Sequence, residues 1–69
     1  MAVVKIIELV GSSKESSDDA ARQALKSAQK KLRNIRAVDI VSTGLRGEIL
    51  DEWRANVRVA FLVETSEID

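Results

Sequence analysis

Trp53-Arg54-Ala55-Asn56-Val57-Arg58-Val59-Ala60-Phe61-Leu62-Val63 is the stretch that decides the fold. Trp53, Ala55, Val57, Val59, Phe61 and Val63 alternate with Arg54, Asn56, Arg58, Ala60 and Leu62, the period of two that places one set on each side of a strand. At about 3.3 Å per residue this run extends roughly 36 Å, long for a chain of 69 residues. One helix cannot cover such a strand. A long apolar strand left open pairs readily with other chains, so the run predicts that further copies of the protein complete the fold.

Size points the same way. A domain this small buries only about 60% of its unfolded surface and needs reinforcement from disulfides, a metal or oligomerisation. The chain has neither Cys nor His, which removes disulfides and the usual zinc ligands and leaves self-association. Eleven basic and eleven acidic residues cancel, so no overall field draws the protein to nucleic acid or an anionic membrane. The apolar stretch Ile6 to Val10 is interrupted by Glu8, follows Lys5, and is too short for a signal core or a membrane span. A soluble cytoplasmic protein with no nucleic-acid or membrane partner is expected.

Upstream, Val3 to Val10 is rich in Val and Ile and predicts a strand, with Gly11-Ser12-Ser13 as a turn that ends it. Ser16-Ser17-Asp18-Asp19 supplies cap oxygens and acidic side chains for a helix start. Ala21, Leu25, Ala28, Leu32 and Ile35 then recur at steps of four and three as its apolar stripe. Lys30, Lys31, Arg33 and Arg36 suit the negative end of that helix. Ala37 to Ser42 predicts a second strand with a break at Gly44, and Gly47 to Glu52 turns the chain into the third. The expectation is an α+β fold, β-α-β-β, with a three-stranded antiparallel sheet packed around one helix. A single domain over residues 1–65 and a flexible tail at 66–69 complete it.

Catalytic machinery is not visible. Without Cys or His the usual nucleophile and base pairs cannot be assembled, so a non-enzymatic protein is expected. Gly11, Gly44 and Gly47 lie in different connections and form no phosphate loop. Trp53 begins the long strand, where it either stacks on a planar ligand or seals a subunit contact. Arg54 and Arg58 lie on the other side of that strand, and Arg46 can join them to meet anionic ligands or the acids of a neighbouring copy. Asp39, Glu48, Asp51 and Glu52 gather in the second strand and its turn. They are candidate calcium ligands if symmetry brings copies together, or partners for Arg46, Arg54 and Arg58.

Several local strings together resemble the dodecin family, whose small subunits assemble as hollow twelve-subunit particles. They are Lys5-Ile6-Ile7-Glu8-Leu9-Val10-Gly11-Ser12-Ser13, Asp19-Ala20-Ala21, the Ala24 to Ala28 segment, Leu32-Arg33-Asn34-Ile35 and Val57-Arg58-Val59-Ala60-Phe61. The resemblance implies a homododecamer that binds or stores small molecules. In flavin-binding members a tryptophan at the start of the second strand stacks on the ring and a third-strand glutamine meets its edge. Those positions correspond here to Ala37 and Arg54, with Trp53 beside the latter where the family often has tyrosine. A methyl group removes the stacking surface and a guanidinium removes the acceptor for the flavin imide proton, so FMN or riboflavin is expected to bind weakly. The segment Trp53 to Val59 resembles instead a branch associated with calcium or with no assigned ligand. The alternative is therefore a structural or calcium-binding assembly without flavin.

Overall fold

A computed structural model of the chain describes residues 2–64. Met1 and residues 65–69, which include the segment expected to be a flexible tail, lie outside the described residues. The elements are β1 (Ala2–Ser13), α1 (Ser17–Gln29), β2 (Ile35–Arg46) and β3 (Glu52–Glu64). They form one antiparallel sheet in the order β1-β3-β2, with the alternating strand at its centre. The expected β-α-β-β architecture is therefore present.

The odd-numbered row of β3 faces α1. Ala55, Val57 and Val59 are buried there with Ala20, Ala21, Ala24 and Ala28 of the helix, and Ile7, Leu9, Leu32, Ile35, Val38 and Trp53 pack around them. A helix of 13 residues spans about 20 Å whereas a strand of 13 spans about 43 Å. The ends of the row, Trp53, Phe61 and Val63, are accordingly only half-buried. Val57 and Val59 are the largest fully buried side chains among the described residues, so the core is a thin layer of Ala and Val.

Gly11 does not end β1 in a turn, as its neighbours Ser12 and Ser13 suggest. It lies inside the strand opposite Ala55, and β1 runs on to Ser13. A Cβ at Gly11 would collide with the Ala20 carbonyl oxygen and come within 2.9 Å of the Ala24 nitrogen. The residue is there because the helix backbone rests on the strand backbone at this point.

The helix start follows the expected capping, with the Asp19 amide donating to the Ser16 hydroxyl at 3.0 Å. The Ser13 hydroxyl donates to the Asp19 carboxylate at 2.6 Å, which fastens the end of β1 to the first turn. The helix ends earlier than its apolar spacing predicts. Lys31 and Leu32 both donate to the Ala28 carbonyl, at 3.0 and 2.8 Å, and Asn34 takes a positive φ of 60°. Leu32 and Ile35 therefore reach the core from beyond the helix, and Lys26 is the basic residue in its last turn.

β2 is a continuous strand that bulges at Arg36 and Val41, and the expected break at Gly44 is absent. Because one extra residue reverses the side-chain alternation, Ile35, Val38, Ile40 and Leu45 all occur opposite the helix-facing row of β3. The turn from Gly47 to Leu50 is closed by the Leu50 amide donating to the Gly47 carbonyl at 3.0 Å.

The Gly11 contact generates a direct test. Gly11→Ala is expected to lower stability by about 1 to 3 kcal/mol or more through overpacking, read as a fall in the melting temperature. An unchanged melting curve would mean that the helix does not rest on β1 at Gly11.

Candidate functional site

The face of the sheet away from α1 carries the chemistry. β3 presents Arg54, Asn56, Arg58, Ala60 and Leu62 on it, flanked by alternate residues of β1 and β2. Val4, Ile6 and Val10 of β1 are 54%, 58% and 61% exposed there, unusually open for large apolar side chains on a sheet. Between them Glu8 lies opposite Arg58, and the Arg58 Nε donates to its Oε2 at 3.0 Å. Asp39 flanks Arg58 from β2 without forming an ion pair.

Nearer the β2–β3 turn the open face sinks into a cleft of about 180 Å³, lined by Val10, Ser42, Gly44, Arg46, Arg54 and Asn56 among others. The Arg54 Nε and the Asn56 Oδ1 are buried with no hydrogen-bond partner. A buried donor and a buried acceptor left unpaired each cost about 1 to 3 kcal/mol. A second hollow, about 290 Å³, lies between α1 and β2 against Asp18, Ala21, Arg22, Leu25, Val38 and Ile40.

Of the four expected ligand residues, only Arg46 and Arg54 meet, in the cleft. Trp53 lies on the opposite face, between Ser13 and Leu45 at the edge of the core. Ala37 is on the open face opposite Ala60, six β3 residues from Arg54, or about 20 Å along the strand. Stacking at Ala37 and an edge contact at Arg54 on one ring would thus come from different chains. The four expected metal ligands do not converge within one chain. Asp51 is paired with Lys14 at 3.3 Å, Glu52 lies across from Arg46, and Glu48 is exposed in the turn. Among the described residues no group of three acids is placed to hold an ion.

Asn56 is the member of the cleft that the sequence reading missed. Its signal was available, because a polar side chain two residues beyond Arg54 on a strand must share its face. No helix among the described residues is long and apolar enough to cross a membrane.

A family model described as Dodecin matches residues 3–64. Among solved structures, a Thermus thermophilus protein is 32% identical over 96% of this chain and 100% of its own, with a TM-score of 0.85. A dodecin from Streptomyces davaonensis is 21% identical over 93% and 97% of the two chains, with a TM-score of 0.84. A protein of Mycobacterium tuberculosis described as a calcium dodecin with a calcium-binding site is 24% identical over 94% and 96%, with a TM-score of 0.80. At these identities the last two share the fold. No match was found among curated proteins. The order of the elements, the open sheet face and a family match along nearly all of its length place this chain in the dodecin family.

Proposed function

We propose that the chain is a non-enzymatic, cytoplasmic subunit of a closed homo-oligomer that binds or stores small molecules. The observation that carries this reading is the exposed row Val4, Ile6 and Val10 beside a core of Ala and Val alone. Other copies covering that face would supply the burial that one chain lacks, and the radius of gyration argues likewise. It is 14.4 Å, whereas a compact domain of this length has about 11 Å. Such an assembly would turn the open faces into shared walls, with the polar cleft as the ligand-binding part.

Flavin fits this site poorly. Ala37 offers a methyl group where a ring would stack, and Trp53 supports the helix side of the sheet instead.

A second reading, an ion site between subunits, is favoured by Asp39, Glu48 and Glu52, none of which is ion-paired among the described residues. Calcium takes six to eight oxygen ligands at about 2.3 to 2.6 Å, so copies of these acids would have to converge at a symmetry axis.

Light scattering at micromolar concentration is expected to give a monodisperse particle of twelve subunits, and a monomer of 7.6 kDa would end the proposal. Fluorescence titration with riboflavin and FMN should give binding at least about tenfold weaker than in an Ala37→Trp variant, which gains a stacking face. Submicromolar binding by the unaltered protein would contradict this. For the ion reading, chelator-treated protein is titrated with calcium in a calorimeter. Saturation at a fixed fraction of an ion per chain, lost in Asp39→Asn or Glu52→Gln, is its expected outcome. Absence of heat and of a thermal shift at millimolar calcium would remove it.

A further inference from the structure

We infer that the hollow between α1 and β2 receives the β2–β3 turn of a second copy of the chain, with Ile49 and Leu50 as the inserted side chains. The inference rests on the homo-oligomer proposed above and names one of its contacts. The hollow exists because α1 rests on β1 and β3 and barely reaches β2, the edge strand beyond them. Its floor is apolar, from Ala21, Leu25, Val38 and Ile40, and Ile40 stays exposed although it lies on the helix side of the sheet. At about 290 Å³ it has room for aliphatic side chains, since a cavity of about 150 Å³ already admits a benzene ring.

The turn offers side chains of the matching kind. Ile49 and Leu50 are 78% and 60% exposed, and Ile49 is the most exposed large apolar residue among those described. Turns favour Gly, Asn and Asp, yet Leu50 takes a positive φ of 55°, a conformation uncommon for a bulky residue. Nothing within the chain compensates for that choice, because the turn projects beyond the end of β1 and neither side chain joins the core. Charge fits as well. Arg22 at the rim of the hollow is unpaired among the described residues, and so is Glu48, next to Ile49 in the turn. An inserted turn carries Glu48 to the rim, where Arg22 can meet it. Asp18, the other rim charge, lies in the first turn of α1, where the positive end of the helix dipole holds it.

A turn cannot fill the hollow of its own chain. Ile40 pairs with Val57, five residues along β3 from Glu52, or about 16 Å, and the turn lies beyond Glu52. Contact between two such unlike surfaces runs head to tail and closes as a ring, which a closed particle can contain.

The chain has no cysteine, so Ile40→Cys together with Leu50→Cys introduces the only two thiols. A disulfide needs Cα atoms within about 7 Å, so this pair can link only different chains. Mild oxidation of the assembled double variant is expected to give covalently joined chains on a denaturing gel, while each single variant stays unjoined. Leu50→Asn, which suits the positive φ better, should leave the chain folded and shift dissociation of the particle, followed by light scattering, to lower denaturant concentration. Arg22→Glu should act the same way, and adding Glu48→Lys to it should restore the particle, a rescue that a local effect on the helix would not give. An assembled double variant that stays unjoined, joining through Leu50→Cys alone, or a Leu50→Asn particle as resistant as the unaltered one would overturn the inference. Light scattering on the same samples separates the two failures: an intact particle without the cross-link defeats this contact alone, whereas a monomer defeats the particle.

Discussion

The closeness with which α1 lies on β1 controls the rest of the molecule. Ala20 and Ala24 approach the bare backbone of Gly11, and Ala55 lies beside it in the sheet. Backbones this near leave no room for large side chains between the layers, so the buried set contains nothing larger than valine. A thin layer contributes little hydrophobic stabilisation, at about 25 cal/mol for each Å² of apolar surface removed from water. The helix is also about half as long as the strands it covers. The same contact supports the proposed association, because copies of the chain would cover the apolar surface that α1 leaves open.

That contact also divides the sheet into two unlike faces. Opposite the helix, side chains are selected for size, and Trp53 belongs to this set by position. On the other face nothing is crowded, and residues of different chemistry follow one another along β3. Leu62 and Ala60 continue the apolar row, Arg58 is held by Glu8, and Asn56 and Arg54 enter the cleft. Polarity thus rises toward the β2–β3 turn. An assembly that buries the apolar end can leave the polar end accessible, and a ligand carried by such a particle would meet guanidinium and amide groups before any aromatic ring.

Legibility in the sequence varied with the physics that set each element. β3 was plain because its two faces differ in composition over its whole length, and the helix start was plain because its cap is local chemistry between Ser16 and Asp19. The helix end was not, since Leu32 and Ile35 keep the helical spacing by reaching the same core from a different path. Gly11 reads as a turn residue when only its serine neighbours are seen, and its true reason lies in a helix that packs on it from later in the chain. For the site, Arg46 and Arg54 could be paired from the sequence but Asn56 was overlooked. Asp39 lies along β2 opposite Arg58, whereas Glu48, Asp51 and Glu52 lie at the β2–β3 turn, where Asp51 pairs with Lys14.

The bulge at Val41 links the fold to the site. Val38 and Ile40 are even-numbered, whereas Leu45 is odd, yet all three occupy the helix side of β2, because the extra residue shifts the register by one between Ile40 and Ser42. The same shift brings Ser42, Gly44 and Arg46 to the open face, opposite Asn56, Arg54 and Glu52 in turn. Without it Arg46 would point toward the helix side, and Thr43 and Leu45 would take over the cleft. Gly44 completes the arrangement by placing no side chain across from Arg54, and the Arg46 guanidinium lies over it, with Nη1 2.9 Å from where a Cβ would stand. A single inserted residue in the edge strand therefore keeps the apolar side chains of β2 toward the core and makes the polar cleft from the remaining ones.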